Sequence, residues 1–318
     1  MSEPKGLQEA IVYFSDPDNC ISYLAARRWP NGVICPICGS DSVSAFNPTR
    51  KTWKCAKHHA KREFSVKVGS VCEDSAIGLD KWMTALWLLA NCKNGISSCE
   101  LARDLNVTQK TAWFMLHRIR LALQDETFGK LGGHVEVDET FIGGKARNMH
   151  LDKRERRITG TGGKDKTIVF GALERGGRIR TIVVADRKKS ALHATVKEHV
   201  EAGAALYSDA LKSYDGLAQE YAHKVIDHAE KYVDGQVHTN GLENFWSLLK
   251  RGIAGSYVSV EPFHLFRYLD EQVFRYNNRA TKDNPLNDAD RFDMAVRKLF
   301  GKRLTFASLT GKLCETSF

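Results

Sequence analysis

The stretch "GGHVEVDETFIGGK", residues 132–145, decides how this chain is read. Val135, Val137 and Glu139 alternate with Glu136, Asp138 and Thr140 between paired glycines, and a period of two is that of a strand. Two more apolar runs follow, "KTIVFGALE" and "RIRTIVVAD", separated by the turn "RGGR". A helix over about 190–200 leads to the next strand, "AALYSDAL", which delivers Asp209 at its tip after Ala204, Ala205, Leu206 and Tyr207. A last helix closes the series.

Strand, strand, strand, helix, strand, helix is the order of a ribonuclease-H-like α/β sheet, with the first and fourth strands side by side. Asp138 and Asp209 would then meet. Converging carboxylates repel one another in a sheet, and a hard divalent cation, Mg²⁺ or Mn²⁺, resolves the conflict with oxygen ligands, two ions per site serving phosphoryl transfer. The last helix, "HTNGLENFWSLLKRG" at 238–252, supports the same site. At about 100° per residue Leu242, Phe245, Trp246, Leu249 and Ile253 form its apolar side, and Asn240, Glu243, Ser247 and Lys250 lie within roughly 80° of one another on its flank. Glu243 and Lys250 are too far apart for an ordinary side-chain pair, so the stripe serves a shared third party.

The 318 residues are 42% hydrophobic, enough for two or three domains. A formal charge of +9 favours polyanionic partners without naming one. No run of eighteen apolar residues occurs, and the polar start "MSEPKGLQEA" does not read as a leader, so the expectation is a cytoplasmic chain with no membrane partner.

Three of the eight cysteines have metal-ligand spacing. "VICPICGS" supplies Cys35 and Cys38, and "WKCAKHH" supplies Cys55 and, three residues on, His58. Two such knuckles close a tetrahedron around structural Zn²⁺. His59 is an alternative fourth ligand, because register within a turn is not fixed by spacing. Next, "LDKWMTALWLLANC" and "GISSCELARDLNVTQKTAWFMLHRIRLAL" read as three helices, the last two a helix-turn-helix with Ser97 or Ser98 and Thr108 as caps. Gln109, Lys110 and Thr111, followed by His117, Arg118 and Arg120, are expected to face outward, as on a recognition helix in a DNA groove. Residues 145–166 carry eight Lys or Arg against three acids and are expected to form a DNA-contacting loop.

"VEVDETFIGG", "YSDALKSY", "HTNGLENFWSLLKRG" and "FRYLDEQVFRYNNR" together resemble bacterial insertion-sequence DDE transposases of the group related to the eukaryotic Merlin elements. "CPICGS", "FSVKVGSV" and the helix-turn-helix resemble the same group's end-binding region. The resemblance implies an enzyme that binds the terminal inverted repeats of its element and cleaves DNA. It then joins the 3′ ends to target DNA as a homo-oligomer in the nucleoid. It gives Asp138 and Asp209 the first two metal-ligand places and Lys250 the basic place, with Lys250 and Arg251 on DNA. For the third acid, Asn240 and Glu243 compete, and charge favours Glu243. The implied domains are a zinc ribbon with flanking arm (1–75), a helix-turn-helix (76–128), a ribonuclease-H-like core (129–280) and a basic C-terminal tail (281–318). Two rivals share the DNA affinity: a catalytically silent DNA-binding regulator derived from a transposase, and a structure-specific nuclease.

Overall fold

A computed structural model describes residues 2–124, 129–144, 150–157, 166–209, 212–226 and 239–311. In chain order its elements are α1 (Leu7–Phe14), α2 (Pro17–Arg28), β1 (Trp53–Lys54), β2 (Glu63–Phe64), α3 (Leu79–Asn91), α4 (Ser98–Leu105) and α5 (Gln109–Leu123). Then come β3 (His134–Ile142), α6 (Leu151–Arg157), β4 (Thr167–Glu174), β5 (Ile179–Val184), α7 (Lys189–His199), β6 (Ala205–Asp209) and β7 (Ala222–Ile226). The last elements are α8 (Asn240–Gly252), α9 (Leu265–Asn277), α10 (Asp288–Arg297) and α11 (Phe306–Leu309). They form two compact units, one of Met1–Gln124 with Ala280–Phe318 and one of Asp125–Arg279.

In the first unit, β1 and β2 pair antiparallel through Trp53 and Phe64, whose rings stack and meet Trp29. Helix α3 buries Trp82, Met83, Leu86, Trp87 and Leu89. Ser97 caps α4 by accepting from Glu100 N–H, Asn106 ends it in the left-handed region at φ 49°, and Thr108 caps α5 by accepting from Thr111 N–H. The short side chains of Ser and Thr satisfy N–H groups that the first turn leaves unpaired, which fixes where each helix starts.

The described part of the segment read as a basic C-terminal tail, 281–318, belongs to this unit. Phe292 packs on Trp87 and Phe14, Arg27 binds Asp293 at 2.7 Å, and Val71 N–H donates to Leu299 O. Phe306 meets Phe114, while Lys302 Nζ donates to the Gln124 carbonyl at the end of α5. The basic composition concealed an amphipathic helix, α10, whose Phe292, Ala295 and Val296 are buried.

The second unit is built on a five-stranded sheet of order β5-β4-β3-β6-β7, with β3, β4 and β5 antiparallel and β3, β6 and β7 parallel. The first and fourth strands of this unit are therefore neighbours, as expected. β7, "AHKVI", was not foreseen, since His223 and Lys224 interrupt its apolar alternation. Alternation divides the sheet's two faces. Val135 and Val137 join Leu192 and Val196 of α7 in one core. Ile142, Val169 and Leu173 join Leu242, Phe245, Trp246 and Leu249 of α8 and Leu265 and Leu269 of α9 in the other. Each fully buried Leu, Val or Phe contributes roughly 1.5–3 kcal/mol of transfer free energy. At the sheet edge Asn277 of α9 both donates to and accepts from the backbone of Ile179.

Candidate functional site

β3 and β6 run parallel with His134 opposite Ala205 and Glu136 opposite Tyr207. Carried two residues further, the same offset sets Asp209 level with Asp138 on adjacent strands, about 4.8 Å apart in the usual sheet spacing. Asp138 lies on the α8 side of the sheet. Its Oδ2 accepts from Trp246 Nε1 at 2.9 Å and its Oδ1 from Glu139 N–H at 2.8 Å. Burial, and then the charge of Asp209, push the Asp138 carboxyl up to about 6; the two hydrogen bonds oppose this, and Glu243 adds to it. Asp138, Asp209 and Glu243 thus share one electrostatic neighbourhood.

Glycine allows that geometry. Gly171 of β4 sits opposite Asp138, and a Cβ there would fall 2.6 Å from Trp246 Cζ2. No side chain larger than hydrogen leaves the indole room to reach the carboxylate.

A fourth carboxylate was not assigned from the sequence. Glu139, a residue further along β3, has a side chain only 4% exposed; its Oε2 accepts from Tyr214 Oη at 2.7 Å and Arg187 lies 3.9 Å from Oε1. Burial pushes it up to about 7 against the Tyr214 hydrogen bond, and Asp209 and Asp138 raise it further. The signal was present in the alternation, where Glu139 shares the face of Val135 and Val137 yet is charged. Asp138 and Asp209 on the α8 side, with Glu243 near them, form an oxygen donor set suited to a hard divalent cation, and Glu139 lies behind them on the other face of the sheet.

On α8, Asn240, Glu243, Ser247, Lys250 and Arg251 are exposed, and Leu242, Phe245, Trp246 and Leu249 are buried. The polar flank and apolar side read in the sequence are both present. His238 and most of 145–166 lie outside the described residues; within that segment α6 is a short helix.

In the first unit, Cys35, Cys38, Cys55 and His59 bring their ligand atoms within 4.8 Å of one another. Cys35 Sγ is 3.4 Å from His59 Nε2, and Cys38 Sγ is 3.6 Å from Cys55 Sγ, close to the edge of a tetrahedron with ~2.3 Å metal–sulfur bonds. Against the cost of burial, backbone N–H groups of Cys38 and Ile37 hold the Cys35 thiol below its ordinary range, favouring the thiolate that ligates. His58 is exposed and outside the cluster, so His59 replaces His58 as fourth ligand. The turn between Cys55 and Arg62 directs the later of the adjacent imidazoles inward.

At the start of α5, Gln109 and Lys110 are exposed and Thr111 half-buried. Gln109 Nε2 donates to Ser98 Oγ, the Lys110 ammonium lies 4.7 Å from the centre of the Phe306 ring, and Thr111 Oγ1 contacts Thr108 Oγ1. Arg118 is not outward. It is buried, donates to the Glu73 carbonyl and sits 5.3 Å from the Trp82 and Phe114 rings; His117 and Arg120 are buried too. The returning C-terminal segment meets α5 at Lys110 and Phe114 through Phe306 and at the Leu121 and Gln124 carbonyls through Lys302.

A cysteine and histidine cluster in one unit and neighbouring acids on a mixed sheet in the other define a zinc-ribbon protein with an α/β domain that carries a carboxylate site. The chain belongs to the ISXO2-like transposase family: residues 130–277 match the ISXO2-like transposase domain, and 15–59 match the transposase zinc-ribbon domain. It is 30% identical over 279 residues, 83% of this chain and 94% of the relative, to an uncharacterized protein in transposable element ISH50 of Halobacterium salinarum. It is 29% identical over 106 residues, 33% of this chain and 85% of the relative, to an uncharacterized transposase-like protein of Haemophilus influenzae.

Proposed function

We propose that this protein is an insertion-sequence transposase, in the group related to the Merlin elements. It binds the terminal inverted repeats, cleaves DNA strands and joins their 3′ ends to target DNA by divalent-metal-dependent phosphoryl transfer. The observation that carries the reading is the strand register that, carried two residues on, sets Asp209 beside the half-buried Asp138, whose carboxyl also feels the charge of Glu243 on α8. The strand order 3-2-1-4-5 within the unit, with helices on both faces, supports a ribonuclease-H-like core.

Bound Mg²⁺ or Mn²⁺, two ions per site, would supply phosphate polarisation and activation of the attacking hydroxyl. Asp138, Asp209 and Glu243 are its ligands in this reading. Trp246 and the Glu139 N–H fix the orientation of Asp138, so that its oxygens need no reorganisation. Asn240, at the first turn of α8, hydrogen-bonds at the edge of the site. Lys250 and Arg251, about two turns beyond Glu243 along the exposed flank, hold DNA phosphates. The Cys₃His zinc stabilises the ribbon, and α4–α5 act as a helix-turn-helix whose Gln109, Lys110 and Thr111 meet DNA. The functional divisions follow the proposed ribbon (1–75), helix-turn-helix (76–128) and core (129–280), with the last segment completing the first unit. The enzyme acts as a homo-oligomer on DNA in the cytoplasm, at the nucleoid; no described helix is long and apolar enough to cross a membrane.

The test is Mg²⁺-dependent nicking of duplexes bearing the sequences that flank the gene, with gel-shift binding on the same preparations. Asp138→Asn, Asp209→Asn and Glu243→Gln should each abolish nicking and leave binding intact, while Asn240→Ala slows it about a hundredfold, the scale of a misplaced catalytic contact. Full nicking by Glu243→Gln beside an inactive Asn240→Ala would make Asn240 the third ligand. Binding without nicking by the unaltered chain would point to the silent regulator.

A further inference from the structure

Thr239, which precedes α8, gives the helix no side-chain cap. The acceptor comes from the strand on which the helix packs. Glu136 of β3, 1% exposed, accepts the backbone N–H of Leu242 on Oε2 at 3.1 Å, and its Oε1 accepts from Arg175 Nε at 2.9 Å. The Arg175 guanidinium lies 3.9 Å from the centre of the Tyr207 ring, and Tyr207 Oη meets His134 Nδ1 at 2.8 Å. Leu242 is the third residue of α8, the position whose N–H an ordinary N-cap side chain would take.

Glu136 and Asp138 are two residues apart on one face of β3, and they hold Leu242 and Trp246, four residues apart on α8. Two strand residues span about 6.6 Å and four helical residues about 6.0 Å, so the two attachments match in spacing and fix the helix along the strand. Glu243 follows Leu242 directly. Close approach is required at this joint: a Cβ on Gly241 would lie 2.8 Å from Glu136 Oε2 and 2.5 Å from Leu173 Cδ2.

We infer that Glu136 is a positioning residue which, by gripping the first turn of α8, sets Glu243 at its working distance from Asp138 and Asp209. The inference rests on the proposed function in treating the Glu243 placement as serving metal binding. Glu136 itself, with both oxygens engaged by Leu242 and Arg175, acts through the helix and not on the substrate.

The experiment uses the full chain with Mn²⁺ as probe, counting free ion by electron paramagnetic resonance, and a supercoiled plasmid as nicking substrate. Hydrogen exchange at the Leu242 amide reads the joint itself. Glu136→Ala should raise the Mn²⁺ needed for half-maximal binding and nicking at least tenfold, leave plasmid KM within twofold, and accelerate Leu242 exchange. Saturating Mn²⁺ should recover most of the rate. Glu136→Gln, which keeps an acceptor oxygen, should fall nearer to the unaltered chain. Gly241→Ala, which leaves every carboxylate in place but drives a methyl group against Glu136 Oε2 and Leu173 at the joint, should reproduce the Mn²⁺ defect and decides the matter if Glu136→Ala does not fold. Unchanged Mn²⁺ dependence in Glu136→Ala, or in Gly241→Ala where Glu136→Ala does not fold, or Leu242 exchange indifferent to Glu136, would overturn the inference. Failure of the unaltered chain to bind Mn²⁺ would instead overturn the proposed function, and Leu242 exchange would still report whether Glu136 holds α8.

Discussion

Trp246 reaches from α8 to donate its indole N–H to Asp138 Oδ2 at 2.9 Å, joining the hydrophobic anchor of the helix to the first carboxylate of the site. The ring is buried, so its packing and its polar contact can be separated by substitution. Trp246→Phe keeps most of the apolar contact and removes the donor. A buried hydrogen bond to a charged group is worth about 1.5–3 kcal/mol, so a loss of cleavage rate on the order of tenfold to a hundredfold is expected. The melting temperature should fall by only a few degrees. A variant that cleaves at the unaltered rate would remove Trp246 from the positioning of Asp138.

The pH dependence of stability has a definite sign. Asp138 and Glu139 are pushed up, chiefly by burial, to about 6 and about 7 in the folded chain. The folded state therefore binds more protons than the unfolded state between the ordinary carboxylate range and neutrality, and stability from these groups declines as pH rises through that window. His193, His199 and His223 of the same unit are pushed down by burial and act in the opposite direction, so the carboxylate contribution is read as a difference. Without divalent ions, Asp138→Asn should gain more melting temperature over the unaltered chain at pH 8 than at pH 5.5, and added Mg²⁺ should narrow that gain at pH 8. Calorimetry that found the gain of Asp138→Asn equal at the two pH values would contradict the electrostatic account.

Zinc content discriminates between the adjacent imidazoles. The purified chain should hold about one zinc per molecule by metal analysis, with Cys38→Ser and His59→Ala losing most of it and His58→Ala keeping it. Retention by His59→Ala together with loss by His58→Ala would reverse the ligand assignment.

Removal of residues 281–318 should disable the first unit. The truncation strips Phe292 from Trp87 and Phe14, breaks the Arg27–Asp293 ion pair, and uncovers α5. Phe292→Ala alone should cost about 3–5 kcal/mol, the usual range for a buried Phe. Thermal unfolding of Phe292→Ala within a degree of the unaltered chain would show that the segment is dispensable for stability.

Much of this structure was legible in the sequence wherever a local rule operates. The period-two alternation around Asp138 marked β3, the Ser and Thr caps marked α4 and α5, and the apolar side of 238–252 marked the buried side of α8. The misreadings concern contacts made at a distance along the chain. Arg118 looks solvent-facing from helical periodicity, but its environment is set partly by Glu73 and partly by a unit completed after residue 280. Glu136 looks like a polar member of an alternating strand, and its partners Arg175 and Leu242 come from other elements. Between His58 and His59, backbone direction in a turn decides, and spacing carries no record of it.

The first unit begins with α1 and is completed by α10 and α11, while Asp125–Arg279 form the second between them. On the ribosome, at ~5–20 residues per second, that interval delays completion by on the order of ten seconds or more. During that time α3 and α5 exist without the segment that covers them, and the second unit can already have folded. A nascent chain thus acquires its acidic site before its ribbon-bearing half is whole. A message cut short within the last forty codons would yield a protein with the first capacity and a crippled second.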